Sequence, residues 1–171
     1  MSTKAKIKAR ADADKPKPKP LDLDNYVTGL ISWLNNRLSA DASNLYRKYS
    51  GIGISDWRVL AYLGVKGTGI GAEISDFLGM DKAAVSRSIT TLRKKKLVIA
   101  DATDGRKIEL RLSGKCIILY NEILALALKR EEILLDGFDK EERALVIRLL
   151  HKMLANLPKV AQYSSDLITK T

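Results

Sequence analysis

Residues 81 to 112, DKAAVSRSITTLRKKKLVIADATDGRKIELRL, constrain this chain more than any other stretch, because a helical period there gives way to strand-like runs around a single turn signal. Asp81 suits an N-cap, its carboxylate accepting from the exposed N–H groups of a first turn. Val85, Ile89 and Leu92 follow at i, i+4 and i+7 as one narrow apolar stripe. Opposite them, at about 100° per residue, lie Ala83, Arg87, Thr90 and Lys94, with Ser86 and Thr91 on the flanks and Lys82 near the start. Residues 82 to 96 hold six Lys or Arg and no acid, whereas a merely solvated helix face mixes signs. The Arg93–Lys96 run suits a helix C-terminus. Beyond it, residues 97 to 100 are apolar and residues 108 to 112 alternate, with the turn signal Asp104-Gly105 between them. That is a hairpin with its tip near Gly105 and Arg106. A basic helix followed by a hairpin is the layout of a winged helix-turn-helix reader: the helix fits a major groove and the tip reaches the adjacent minor groove.

A helix-turn precedes it. Ile74, Phe77 and Leu78 recur at i, i+3 and i+4, and Gly79-Met80 permits a sharp turn into Asp81. AEISDFLGMDKAAVSRSITTLRKKKLV, then Asp104-x-Arg106, then Leu112-Ser113, resembles the winged-helix core of the MarR family of bacterial transcription regulators. The resemblance covers most of residues 24 to 157. It implies that Arg106 enters the minor groove and that Asp104 orients it, with Lys107 beside them on the wing. It also implies a third wing strand starting within residues 64 to 71, and chain ends that intertwine into a homodimer presenting two recognition helices. Family members often bind small aromatic or phenolic effectors between the DNA-binding lobe and the dimer helices; the candidate lining residues here are Trp33, Tyr46, Trp57 and Tyr62. The sequence departs from the family at Lys96 and Cys116, where Gly is usual, and the first departure bears on how the recognition helix ends.

At 171 residues the chain can bury a real core without staples. A single cysteine excludes an intramolecular disulfide, and one cysteine with one histidine makes no zinc site. We expect no cofactor and no metal, and a reducing, cytoplasmic setting. No apolar run approaches a membrane span and the N-terminus lacks a secretory h-region, so no membrane partner is expected. The net charge of +10 points to a polyanion. Half of it belongs to residues 1 to 20, where seven Lys or Arg face two Asp, so the nucleic-acid reading rests on the local charge of residues 82 to 96.

Residues 1 to 20 are lysine-rich and proline-punctuated, with one Ile and no larger apolar residue, and read as a disordered basic arm that either follows phosphates or only solubilises. Residues 21 to 50 read as an N-terminal dimerisation segment, with a helix from 24 to 49 carrying Tyr26, Val27, Leu30, Ile31, Leu34, Leu38, Leu45 and Tyr49. Residues 51 to 112 form the DNA-binding lobe. Ser55 is the expected cap of its first helix, which carries Trp57 and Tyr62 and runs out at Gly64. Trp33 and Trp57 sit on apolar stripes, which favours core packing over ligand stacking. The glycines of GVKGTGIG do not make a phosphate loop, because Ala72-Glu73 stands where Lys-Ser or Lys-Thr is required and a helix precedes them.

Residues 113 to 171 read as C-terminal dimerisation helices. Ser113 caps a helix to about residue 136. Gly137 then breaks the chain, and Asp139 to Glu142 is a capping box for a last helix with Leu145, Val146, Leu149, Leu150, Met153, Leu154 and Leu157, ending before Pro158. Three apolar helices at the chain ends exceed what a small winged helix needs as cover, and a two-fold dimer explains them economically. Cys116 reads as buried packing; peroxide-sensing family members carry their cysteine in the first helix, and residues 24 to 49 have none. His151 reads as a solvated or interface side chain. No catalytic constellation is present and no enzyme activity is expected.

The expected fold is therefore mainly α with a small β wing (α+β), a winged helix-turn-helix core between dimerisation helices. The expected function is a homodimeric regulator, acting as a repressor, that binds double-stranded DNA at a pseudo-palindrome. A protein–protein adaptor or a non-specific architectural DNA-binding protein are the alternatives.

Overall fold

The computed structural model describes residues 18–102 and 108–169. Helices α1 (Val27–Ser50) and α2 (Ile54–Lys66) are followed by β1 (Thr68–Gly69), α3 (Gly71–Leu78), α4 (Lys82–Lys94), β2 (Val98–Ala102), β3 (Ile108–Leu112), α5 (Gly114–Leu134) and α6 (Lys140–Thr169). The fold is mainly α with one small antiparallel sheet of strand order β1-β3-β2, as expected. The chain divides into two compact units, up to Arg58 and from Val59 on, the division falling inside α2. Of the basic arm only residues 18 to 20 are described, and they are exposed coil.

In the first unit the Asp22 carboxylate accepts from the backbone N–H groups of Asp24 and Asn25 and from the Asn25 amide. This turn starts α1 at Val27 rather than at residue 24. The same hydrogen bonds, first the Asn25 side chain, hold the Asp22 carboxyl below its usual value. Helix α1 buries Gly29, Ala42 and Tyr46. Its apolar stripe of Tyr26, Val27, Leu30, Ile31 and Leu34 is exposed in the single chain, and so is Trp33, at 41%. Core packing of Trp33 is thus corrected, whereas Trp57 is buried edge-on to Tyr46, with ring centroids 6.1 Å apart. Helix α2 begins one residue before Ser55. Asp56, not Ser55, serves its end, accepting from the Gly53 N–H at 3.0 Å.

The second unit carries the sheet and the remaining helices. Its buried side chains include Val59, Leu60 and Leu63 of α2, Ile74 of α3, Val85 and Leu92 of α4, Leu110 of β3, and Cys116 and Ile123 of α5. Helix α2 does not stop at Gly64 but runs to Lys66; Gly64 makes room for the Tyr120 ring, which a Cβ there would approach to 2.5 Å. Phe77, expected in the core, is 65% exposed. Its ring stands edge-on to Tyr62 at 5.3 Å, under the Lys66 ammonium, so the eight-residue helix α3 buries Ile74 and Ser75 and leaves Phe77 on its rim. The register pairs Val98 with Leu112 and Ala100 with Leu110, placing Leu110 and Val98 toward the core. On the outer face Asp101 stands directly opposite Glu109. That like-charge pair is relieved sideways: Arg111 donates to Asp101 at 2.9 Å and Thr68 donates to Glu109 at 3.1 Å.

Helix α6 departs most from expectation. Pro158 lies inside it, and the helix continues to Thr169. Proline removes one helical N–H, but Val160, Tyr163, Leu167 and Ile168 extend the apolar pattern past it. None of its residues is buried. The box that opens it is as expected: Glu142 N–H donates to Asp139 at 2.7 Å and Asp139 N–H to Glu142 at 3.0 Å.

Helix α4 ends in a left-handed residue that is not glycine: Lys96 has φ 57°. Around it the Lys96 N–H donates to Arg93 O and the Leu97 N–H to Leu92 O, both at 2.9 Å, a Schellman closure. The Ser113 hydroxyl donates to Lys96 O at 2.8 Å and accepts from the Cys116 N–H at 3.1 Å, so one side chain closes α4 and opens α5. A lysine in this conformation costs roughly 1–2 kcal/mol that glycine does not, partly offset by glycine's greater freedom when unfolded. Lys96→Gly should therefore raise stability by about 0.5–1 kcal/mol in urea unfolding; an unchanged or lower midpoint would contradict the strain. Ser113→Ala should lose about 1–2 kcal/mol, and Ser113→Thr most of that less.

Candidate nucleic-acid interface

Helix α4 is held at both ends. At its start the Asp81 carboxylate accepts from the Ala84 N–H at 3.1 Å. Before it, the turn from α3 passes through Gly79 at φ 60°, a conformation that suits glycine. Met80 N–H donates to Ser75 O at 3.1 Å, and the buried Ser75 hydroxyl donates to Met80 O at 2.7 Å. Ser75 thus pins the helix-turn-helix angle from inside. At the other start, Glu73 accepts from the Ile70 N–H at 3.3 Å, half of a reciprocal cap, since isoleucine has no acceptor to return.

The stripe that α4 buries is Val85, Ser88 and Leu92, with Ile89 only half-buried. The expected polar face is outward: Lys82, Ala83, Ser86, Arg87, Thr90 and Lys94 are exposed and Thr91 is half-buried. Among the described residues, none of Lys82, Arg87, Arg93 and Lys94 is in an ion pair. Their charge is uncompensated at close range, which sets this face apart from a solvating one. The Thr90 hydroxyl donates to Ser86 O at 2.9 Å and the Thr91 hydroxyl to Arg87 O at 3.0 Å.

Two sectors of this face differ in shape. Arg87, Lys94, Thr91 and Ala83 project outward. Lys82, Ser86, Ile89, Thr90 and Arg93 line a cleft of about 400 Å³ whose other walls are Gly71 and Ala72 of α3 and Ile108 and Leu110 of β3. Arg93 lines the cleft without having been a sequence candidate, although the 100° rule that selected the others places it beside Lys82 and Ser86. Ser75 and Ser88 were also passed over, although the same rule sets Ser88 between Val85 and Leu92 on the buried stripe.

Asp104, Arg106 and Lys107 lie outside the described residues; the strands on either side of them pair antiparallel, with Ala102 opposite Ile108. Of the effector candidates, Tyr46 and Trp57 are in contact in the first unit, where Trp33 is exposed, and Tyr62 packs on Phe77 in the second. Among the described residues no cluster of His, Cys, Asp or Glu could hold a metal ion, and no helix is long and apolar enough to cross a membrane. His151 is exposed on α6.

A helix-turn-helix with an adjoining three-stranded wing and an unneutralised cationic recognition helix defines a winged-helix DNA-binding protein. The family model described as MarR family matches residues 50–107. A MarR/EmrR family transcriptional regulator from Acinetobacter sp. ADP1 is 31% identical, over 81% of this chain and 99% of that one, with a TM-score of 0.76. The chain belongs to the MarR family of transcriptional regulators. Its fold is also shared with a MarR protein from Peptoclostridium difficile (23% identity, 84% and 95% coverage, TM-score 0.72) and with the S. aureus MepR–DNA complex (19%, 80% and 99%, 0.69). No curated protein matches the sequence.

Cys116 is fully buried in the first turn of α5, and burial pushes its thiol up from 9.0 to about 11. Its position near a helix N-terminus does not offset the desolvation. Iodoacetamide near neutral pH should leave the native thiol unmodified and label it fully in denaturant. The folded state holds this proton more tightly than the unfolded one, so the thiol's contribution is constant below about pH 9 and is lost as pH rises toward about 11. Rapid native labelling would show a reactive cysteine instead.

Proposed function

We propose that this protein binds a short pseudo-palindromic duplex as a homodimer and, by covering its operator, represses transcription. The observation that carries the reading is the outward face of α4, where Arg87 and Lys94 have no acidic neighbour to satisfy them and flank short hydroxyl side chains. Arg87 bonds a guanine edge bidentately through O6 and N7. Ser86, Thr90 and Thr91 divide between bases and phosphates, while Lys82 and Lys94 meet phosphates. Arg106, oriented by Asp104, probes the adjacent minor groove, a role carried over from the family through the Asp-x-Arg pattern.

Dimerisation is supported by the apolar surface left on the terminal helices. Leu30, Ile31 and Leu34 of α1 are exposed, as are Leu150, Leu154 and Leu157 of α6, a helix of 30 residues that buries nothing. Unpartnered stripes of this length are unfavourable in water and are covered in a two-fold assembly. Two recognition helices then enter successive major grooves roughly 34 Å apart. Release by a small aromatic effector belongs to the same proposal: such a ligand acts by preferring one spacing of the two helices.

The test is selection from random duplexes at two salt concentrations, followed by titration of the enriched site. A palindrome supports the reading; unspecific retention points to an architectural protein, and no retention to an adaptor. Arg87→Ala should lose about 1–3 kcal/mol and relax preference at one base pair per half-site, whereas Lys94→Ala should weaken all sequences alike and flatten the salt slope. If both titrate like the parent, the groove assignment is wrong.

A further inference from the structure

We propose that the cleft between α4 and strand β3 of the hairpin seats one sugar–phosphate strand of the duplex, with Arg93 as its main phosphate contact. The inference rests on the regulator reading above and names a contact that reading does not contain. In B-form DNA a single backbone strand separates a major groove from the minor groove beside it. A helix in the first groove and a hairpin directed at the second leave that strand one course, between α4 and β3.

The structure has a cleft of about 400 Å³ on that course. Its helix wall carries Lys82, Ser86 and Arg93, and its opposite wall carries Ile108, which is 52% exposed. Ile89 is half-buried beside them, so the floor is aliphatic and the rim cationic. This composition matches a deoxyribose phosphate: the aliphatic side chains accept the apolar edge of the sugar, and the cations and the hydroxyl accept the phosphate. Arg93 supplies a planar fork that bonds two phosphate oxygens at once. Lys82 lies about 16 Å from it along the helix axis and so serves a different phosphate of the same strand. The placement also explains Ile108. At the tip end of the hairpin, paired with Ala102, it contributes little to the core, and it lines the cleft.

The experiment uses the full chain and the duplex enriched by selection, with single methylphosphonates replacing successive phosphates on each strand. The parent protein should lose affinity at one phosphate per half-site on the strand between the two grooves. Arg93→Ala should lose about tenfold on unmodified duplex, which is ~1.4 kcal/mol, and should be indifferent to the methylphosphonate at that phosphate. Its salt slope should fall by about 0.9 per protomer while its base preferences stay those of the parent. Arg93→Lys should regain the sensitivity, and Ile108→Ser should weaken all duplexes equally. An Arg93→Ala protein that keeps the parent's sensitivity at every phosphate, or that changes base preference, overturns the strand assignment and leaves the regulator reading standing. Failure of the parent to enrich any duplex overturns both.

Discussion

The structure depends on how α4 is brought to an end. Its last turn must stop short so that the chain can enter the sheet, yet the helix must stay rigid to present its outer face. Leu92 and Leu97 are buried on either side of the stop, and the Leu97 N–H closes back onto Leu92 O while Lys96 turns left-handed between them. The Ser113 hydroxyl then fastens the Lys96 carbonyl to the start of α5, and the Ser113 N–H donates to Leu97 O at 2.9 Å. One serine therefore ties together the end of the recognition helix, the return of the hairpin and the next helix. Rotation of α4 about its axis is resisted from both ends, since Ser75 grips the preceding turn in the same way, by a buried hydroxyl on a backbone carbonyl.

Much of this architecture was legible in the residues, and the failures have physical causes. Asp81, Ser113 and the Asp139–Glu142 box declared their helix starts because a cap is a local interaction between a side chain and the backbone three residues on. The hairpin showed itself through alternation from Ile108 to Leu112. Phe77 was misjudged because α3 is so short that its neighbours cover only one side of it. Gly64 misled because its meaning lies in Tyr120, distant in sequence, whose ring occupies the space a side chain would need. Pro158 misled for the opposite reason: the residues after it form a long helix that tolerates one missing hydrogen bond.

The candidate site divides in the same way. Lys82, Ala83, Ser86, Arg87, Thr90, Thr91 and Lys94 were identified because helical periodicity alone sets which residues share a face. That Lys82 and Ser86 belong to a concave sector with Arg93, while Arg87 and Lys94 stand on a convex one, requires the hairpin to be in place beside the helix. Ser75, which braces the turn, is silent in sequence, and Ser113 shows only its capping role there, because its bond to Lys96 O joins residues far apart in the chain. The terminal helices were recognised as surplus apolar surface, and the structure leaves that surface uncovered along α6 and on one side of α1.

The two threonine hydroxyls of α4 have spent their protons on the carbonyls of Ser86 and Arg87. What they turn outward is lone pairs and methyl groups. The recognition surface is thereby polarised: the Arg87 guanidinium can only give hydrogen bonds, while Thr90 and Thr91 present acceptors as long as their hydroxyls stay bonded to the helix, and a phosphate contact by either requires its hydroxyl to turn away from the backbone. In the groove reading proposed above, this favours guanine under the arginine, and beside it a base edge that offers an amino group, adenine N6 or cytosine N4, or the thymine methyl against a threonine methyl. The helix's own backbone, by holding those hydroxyl rotors, sets the hydrogen-bonding character that the two threonines turn outward.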